Sequence, residues 1–344
     1  MANLFEPYGA HVLVDGQFGS CGKGALAAWL ALQAIESGAI TNFRGAISSS
    51  GPNSGHTSYF GDQKIVLKQL PTFAVHSFLR GYTLPVYLSA GAVINIKTLV
   101  EEAKMFPNIP IFVHPQAAVV TDDMVKAEHS GSIAAVAGTR SGTGAALVRK
   151  IERSITAVWD YYAEDVNVGN IATMRHFLKP HESALFVEVA QGFSLGINSE
   201  FYPKVTSREC TVMQAIADAR IPPRLVTKTY MCIRTYPIRV GNVDGHSSGG
   251  WYDDQEEITW EQIGVKPELT TVTQRVRRVA TFSDIQLWEA VRANDPDWVA
   301  INFLNYVPEY VQADVIEGLR MVKPDKPFSI IGGWGPNVED WRIV

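Results

Sequence analysis

One segment limits what this chain can fold into: Asp15-Gly16-Gln17-Phe18-Gly19-Ser20-Cys21-Gly22-Lys23-Gly24. The apolar run His11–Val14 before it reads as a buried strand, and Ala25–Ile35 after it reads as a helix. Glycines between a strand and a helix let the backbone approach a polyphosphate closely. The helix N-terminus then offers free N–H groups and a partial positive charge. Lys23 would add a full charge beside the transferred phosphate. The spacing departs from the strict nucleotide-binding loop: five residues separate Gly16 from Gly22, and Gly24 stands where Ser or Thr is usual. A glycine-rich turn without a ligand is the plainer reading. The strand–loop–helix context and the lysine favour phosphate.

Further apolar, β-branched segments alternate with helical ones. Strands are expected at Ile65–Leu67, Val86–Leu88, Pro110–His114, Ala184–Val189, Arg224–Thr229 and Trp298–Leu304. Helices are expected at Ile96–Met105, Leu147–Tyr161, Val212–Ala219 and Ser283–Ala293, with a loop over Gly241–Glu257. This alternation predicts an α/β fold, a large mostly parallel sheet flanked by helices. The 344 residues would suffice for two domains. No linker or repeat divides them, so residues 1–344 read as one large α/β domain with long functional loops.

A 46% apolar, 19% charged composition fits a globular chain and excludes disorder, collagen and coiled coil. A net charge of −5 argues against a broadly basic nucleic-acid surface, while leaving room for a local basic pocket. Cys21, Cys210 and Cys232 are odd in number and widely spaced, which suits neither a disulfide framework nor a zinc site and fits a reducing compartment. No apolar run reaches the ~18 residues of a membrane span, and the N-terminus has no signal-peptide pattern. The expectation is a cytoplasmic protein without membrane or nucleic-acid partners.

Three further loops carry chemistry-bearing residues. Gly51-Pro52-Asn53-Ser54-Gly55-His56-Thr57 has the look of a catalytic loop, although His56 alone would be read as an ordinary loop histidine. Gly138-Thr139-Arg140-Ser141-Gly142-Thr143-Gly144 precedes a helix and reads as a second phosphate site or as a flexible connection. In Thr270-Thr271-Val272-Thr273-Gln274-Arg275-Val276-Arg277-Arg278 the clustered guanidinium groups suit bidentate carboxylate binding; the alternative is a solvated basic face.

Taken in order, these loops resemble the adenylosuccinate synthetase family. The family's Gly-Gln-Trp-Gly-Asp-Glu-Gly-Lys-Gly is matched by residues 16–24, and its Asn-Ala-Gly-His-Thr by Asn53-Ser54-Gly55-His56-Thr57. Lys68-Gln69-Leu70-Pro71, Val189-Ala190-Gln191-Gly192, Tyr202-Pro203-Lys204-Val205-Thr206-Ser207, Ile238-Arg239-Val240-Gly241 and Gly335-Pro336-Asn337 follow in family order. The resemblance runs from residue 11 to about 337. It implies a ligase that phosphorylates O6 of a 6-oxopurine nucleotide and then displaces that phosphate with the amine of L-aspartate.

The departures are informative. Ser20 replaces the family's catalytic Asp. Asn305, in Asn302-Phe303-Leu304-Asn305, replaces its guanine-reading Asp. Val276 interrupts its arginine run. This pattern is similar to the viral branch of the family, whose enzymes join aspartate to dGMP on the route to diaminopurine DNA. Such a chain would lie in the host cytoplasm. Ser20 is neutral near pH 7 and cannot serve as the family's base; it is small and able to accept a hydrogen bond from the 2-amino group of guanine. Asn305 offers both donor and acceptor, suiting adenine, so ATP or dATP is the expected phosphate donor.

By the same resemblance, Ser20, Lys23, His56 and Gln191 form the catalytic set. Gly19, Cys21, Gly22, Lys23, Gly24, Gly55, His56, Thr57, Asn302, Asn305, Gly335 and Pro336 would hold the donor, with Mg²⁺ on Ser20 and Gly55. Ser20, Asn53, Gly138, Thr139, Gln191, Thr206, Val240, Gly241 and Arg275 would hold dGMP. Arg153 would reach its 5′-phosphate across a homodimer. Thr273, Arg275 and Arg277 would hold aspartate. Retention of Lys23, His56, Gln191 and Arg275 argues against an inactive relic. Adenylosuccinate synthesis from IMP, nucleotide binding without turnover, and simple nucleotide hydrolysis are the competing readings.

Overall fold

In a computed structural model of the chain, the described residues are 3–130, 138–154, 158–166, 168–174, 180–243, 245–270, 274–322 and 326–344. A ten-stranded sheet draws strands from nearly the whole sequence. Its spatial order is Trp341–Ile343, Ser329–Gly333, Trp298–Asn302, Val226–Arg234, Gly9–Asp15, Ala184–Glu188, Phe43–Ser48, Val86–Leu88, Ile111–Val113 and Ile171–Thr173. Every pairing is parallel except that of the edge strand Trp341–Ile343, which runs antiparallel to Ser329–Gly333.

Gly9–Asp15 lies in the interior of this sheet and is buried at all seven positions. That accounts for the run Val12-Leu13-Val14: a parallel strand covered on both faces has no solvent side, and its two polar residues, His11 and Asp15, are buried as well. Its side chains alternate between two cores. Leu13 joins Leu26, Leu30, Phe73, Phe186 and Trp298 on one face. Val12 and Val14 join Ile216, Leu287, Val291 and Val299 on the other. The first core is closed by the helix Lys23–Glu36 and the helix Thr72–Leu79 packed against it. The second is covered by the helices Val212–Ala219 and Asp284–Asn294.

Local signals explain where several elements start. The helix Ile96–Met105 begins where the Asn95 side chain accepts the N–H of Thr98 at 3.1 Å. The helix Val212–Ala219 begins where Thr211 accepts the N–H of Gln214 at 3.3 Å. Other expectations are corrected. The strand expected at Ile65–Leu67 is present as Gln63–Leu67, but it lies outside the main sheet, in an antiparallel hairpin with His56–Phe60. The strand expected at Arg224–Thr229 runs from Val226 to Arg234, because its C-terminal half is paired on both sides, with residues 11–15 and with 298–302. The helix expected over Leu147–Tyr161 spans Thr143–Ile151 and stops before Arg153, whose φ of 62° is left-handed.

The parallel strands end at Asp15, Ser48, Glu188, Arg234, Asn302 and Gly333. The loops leaving those ends converge on one cavity, as is usual for open α/β sheets. A three-stranded satellite sheet, ordered Ile238–Arg239, Arg278–Ala280, Glu257–Ile258, flanks the cavity and carries the arginine-rich loop.

Candidate active site

The cavity measures about 550 Å³ and is lined by Ser20, Lys23, Gly24, Asn53, His56, Gln191, Thr206, Arg239, Arg275, Arg277, Asn305 and Pro336, among others. Six cationic side chains face it (Lys23, Lys64, Lys204, Arg239, Arg275 and Arg277) against one carboxylate, Glu268, among the described residues. In a protein of net charge −5, that imbalance marks a site for polyanions.

The phosphate loop is held from below by a residue the sequence did not single out. The Asp15 carboxylate is fully buried and accepts the backbone N–H groups of Gln17 (3.0 Å), Gly19 (3.2 Å) and Cys21 (3.1 Å). It also accepts Lys23 Nζ at 3.1 Å, and the same ammonium donates to the Gln191 carbonyl at 2.7 Å. Burial alone would weaken the Lys23 ammonium, but the adjacent Asp15 outweighs it and its pKa is raised. Part of the loop is thus already satisfied by an internal anion. What remains for a ligand is the start of the helix Lys23–Glu36, whose N-cap Gly22 (φ 95°) supplies no side-chain cap. A β-carbon on Gly24 would meet the Thr57 carbonyl oxygen at 2.4 Å, so the hydroxyl residue common at this position is sterically excluded by the His56 hairpin.

His56 opens the strand His56–Phe60 and is buried. Its Nδ1 lies 3.5 Å from Oε2 of Glu188, the last residue of a central strand. Glu188 is fixed in turn by the N–H groups of Thr72 (3.0 Å) and Phe73 (2.7 Å) at the start of the helix Thr72–Leu79. The other ring nitrogen, Nε2, is buried with no hydrogen-bond partner. Such an arrangement fits a histidine oriented by a carboxylate and reserved for a substrate atom. Nearby, Gln191 adopts φ 68°, and its amide reaches the Asn53 carbonyl at 3.5 Å. Asn53 in turn reaches Thr206 Oγ1 at 3.5 Å. These three residues from distant loops form one polar wall.

Ser20 is exposed at the cavity surface in a left-handed conformation, φ 57°. Its carbonyl accepts Arg234 Nη1 at 3.1 Å. Arg234 is fully buried and paired with Glu268, with Nη2 to Oε1 at 2.5 Å and Nη1 to Oε2 at 3.3 Å, and its guanidinium stacks 4.0 Å over the Phe303 ring. Glu268 also accepts the Tyr306 hydroxyl at 3.1 Å. Burial opposes charge on Glu268, yet the Arg234 guanidinium prevails and holds its carboxyl below the usual range. From Glu268 the chain enters the arginine loop, closed by Thr270 N–H to the Arg275 carbonyl (2.8 Å) and Arg277 N–H to the Glu268 carbonyl (2.9 Å). Burial lowers the Arg277 pKa to about 10. Arg239 stacks 4.4 Å from the Phe18 ring, and its Nη1 is buried without a partner.

Most of the residues expected at the site do line this cavity. They include Gly19, Gly22, Gly55, Thr57, Gly138, Thr139, Val240, Gly241, Asn302 and Gly335. Four residues and one loop of those expected need correction or fall elsewhere. Cys21 is fully buried, with its N–H and thiol on Asp15, so it offers nothing to a donor. The Asn302 side chain is spent on the Cys21 carbonyl (3.2 Å) and the Phe303 N–H (2.7 Å). Arg153 is exposed and outside this cavity. Thr273 lies outside the described residues. The second suggested phosphate site is already filled: Glu128 accepts the N–H groups of Gly142 (2.6 Å), Gly144 (2.8 Å) and Ala145 (3.2 Å) at that helix start. Glu188, Arg234 and Glu268 were missed because only tertiary packing brings them in, whereas Asp15 opens the quoted loop but its role as the loop's internal anion was not read. Phe303 and Lys64 are further cavity residues not singled out in the sequence.

Residues 155–320 match the family model described as Adenylosuccinate synthetase. The N6-succino-2-amino-2′-deoxyadenylate synthase of Vibrio phage phiVC8 is 37% identical over 350 residues, covering 96% of this chain and 97% of the phage protein. A solved structure of the Cyanophage S-2L succinoaminodeoxyadenylate synthetase, bound to dGMP and dATP, superposes with a TM-score of 0.84 at 31% identity. It covers 98% of this chain and 95% of that one. The fully ligated adenylosuccinate synthetase of Plasmodium falciparum shares the fold, with a TM-score of 0.67 at 17% identity over 98% and 87% of the two chains. The chain belongs to the adenylosuccinate synthetase family.

Proposed function

We propose that this protein is a C–N ligase that joins L-aspartate to C6 of dGMP at the expense of ATP or dATP, giving N6-succino-2-amino-2′-deoxyadenylate. The observation that carries the choice of purine is Ser20, an exposed residue that lines the cavity where the family's loop has an acid. A hydroxyl accepts a hydrogen bond from the exocyclic 2-amino group and leaves space for it.

The reaction divides into two displacements. O6 of the purine attacks the terminal phosphorus of the donor, the bond to the leaving diphosphate oxygen breaks, and N1 loses its proton. The aspartate amine then adds to C6, and inorganic phosphate departs with the former O6. His56 Nε2 is placed to donate to the transferring phosphoryl group, with Glu188 holding the ring from the opposite side. The open N–H groups at Gly22–Gly24 and the Lys23 ammonium stabilise the same charge. Glu268, the one cavity carboxylate among the described residues, is committed to Arg234 and is a weak base. The N1 proton is therefore taken up by the substrate aspartate.

Gly55 lines the cavity and would offer a carbonyl oxygen to Mg²⁺, a hard ion that keeps several waters and relies on substrate phosphates for charge, whereas the carbonyl of Ser20 is already taken by Arg234. When bound, the ion would neutralise the donor's phosphate oxygens. Asn305, Phe303 and Pro336 line the end of the cavity assigned to the adenine, and Arg275 and Arg277 hold the carboxylates of aspartate. By the family resemblance, Arg153, which is exposed, would reach the partner's site in a homodimer.

Incubation with aspartate, Mg²⁺ and either ATP or dATP, once with dGMP and once with IMP, tests the assignment. Formation of the succino-amino nucleotide from dGMP is expected. Product from IMP alone would overturn the purine assignment, and phosphate release independent of aspartate and monophosphate would overturn the ligase.

A further inference from the structure

Ser20 has no side chain of its own element to hold it, yet it occupies a left-handed backbone conformation that a non-glycine residue adopts only when its surroundings impose it. Two groups impose it here. Asp15 fixes the N–H groups on either side, at Gly19 and Cys21. Arg234 fixes the Ser20 carbonyl at 3.1 Å. Arg234 is itself immobilised at every level. Its backbone N–H donates to Gln17 Oε1 at 3.0 Å, and Gln17 Nε2 returns a bond to the Arg234 carbonyl at 3.2 Å. Its guanidinium is anchored by both oxygens of Glu268 and lies flat on Phe303. No described group other than Arg234 holds the Ser20 carbonyl.

We propose that Arg234, held by Glu268, is a positioning residue for substrate selection: it sets the Ser20 backbone so that the hydroxyl meets the 2-amino group of the purine. This inference rests on the reading of Ser20 given above. Arg234 is fully buried beneath the loop and is not a cavity-lining residue, so it acts through Ser20 rather than on substrate. A neutral side chain there would free the carbonyl and let the peptide at Ser20 rotate. The Ser20 β-carbon, from which the hydroxyl reaches the purine, would then no longer be held in one position. Lysine can reach the same carbonyl as a point charge, without the planar fork that also engages Glu268.

The test is the ratio of kcat/KM for dGMP to that for 2′-deoxyinosine monophosphate, with aspartate and donor held constant. A defect in folding, donor binding or aspartate binding lowers both values alike and leaves the ratio unmoved. Arg234→Gln should reduce the ratio roughly tenfold, about the worth of one hydrogen bond, and Arg234→Lys should restore most of it. Ser20→Ala should reduce it to a similar extent. The double variant Arg234→Met/Glu268→Leu removes the pair without leaving a buried charge alone, and so provides a folded counterpart; it too should lose the preference. An unchanged ratio in Arg234→Gln or in the double variant, with Ser20→Ala reduced, overturns the positioning role and spares the reading of Ser20. An unchanged ratio in Ser20→Ala overturns both.

Discussion

The Nδ1 atom of His56 lies 3.5 Å from Oε2 of Glu188, and the two residues reach this contact from strands of different sheets. Glu188 keeps its second task at the same time, accepting two N–H groups from the start of the helix Thr72–Leu79. The orientation of the histidine is thereby tied to one of the best-buried parts of the core, where Phe73 stacks on Phe186 at 4.1 Å.

Glu188→Gln is expected to cost activity out of proportion to stability. The amide presents an N–H where the protein presents another, so either the helix start or the histidine loses its acceptor. Replacing the partner of a general acid or base costs about 10²–10⁴ in rate in comparable systems. The fall should appear in kcat, with KM for dGMP little changed, alongside a thermal melt that shows the variant folded. A variant with unaltered kcat would remove Glu188 from the mechanism.

Asp15→Asn tests the internal anion of the phosphate loop. The change leaves the Lys23 ammonium buried beside a neutral amide and removes acceptor capacity from three N–H groups and a thiol. Breaking one side of a buried pair costs ~3–5 kcal/mol, to be read from urea unfolding. A loss below about 1 kcal/mol would show that the loop does not depend on this carboxylate.

Donor choice should turn on Asn305. Asn305→Asp replaces a donor-and-acceptor amide by an acceptor-only carboxylate, suited to the N1–H and 2-amino group of guanine. The ratio of kcat/KM for ATP to that for GTP should fall by roughly tenfold or more. Initial rates with each donor at fixed dGMP and aspartate decide it; an unaltered ratio would place base reading elsewhere.

Two histidines predict how stability responds to acid. His11 is packed among Phe5, Phe43 and Tyr230, and burial depresses its pKa to about 3. His76 is also brought to about 3, first by burial and then by Arg80, whose Nη1 donates to Nδ1 at 3.0 Å. Between pH 6.5 and 3 the unfolded chain takes up protons that both folded rings refuse, so stability falls as pH falls through that window. The slope should approach about 1.4 kcal/mol per pH unit for each ring. His11→Gln, which keeps an acceptor for the Glu6 N–H, should remove about half of it. Urea midpoints between pH 7 and 4.5 measure both slopes.

How far the site can be read from sequence depends on how each residue is recruited. The phosphate loop is legible because a strand, its glycines and a helix are consecutive, and Ile96–Met105 is legible because its cap and apolar spacing are local. Glu188, Arg234 and Glu268 act through partners 34 to 217 positions away, and nothing in their own surroundings distinguishes them from ordinary charged residues; the partners of Asp15 are within eight positions, but only the folded loop turns their N–H groups onto it. The loop at 138–144 misleads for the opposite reason. Its local pattern does suit an anion, but Glu128, brought from the preceding helix, supplies that anion internally. The helix expected to continue to Tyr161 failed because Arg153 leaves the helical region, a choice its side chain does not announce.

The strand Gly9–Asp15 is synthesised well before both of its neighbours, which lie far downstream, one beginning at Ala184 and the other at Val226. Until those residues have been made, its hydrogen-bonding edges have no partner from this sheet, and its apolar faces must be shielded in some other way. Pairing over such separations is slow relative to local contacts. The anion-binding loop that continues this strand therefore acquires its final shape only once the chain has been made through Arg234, and a nascent chain that stops short of that residue has no place to receive a nucleotide.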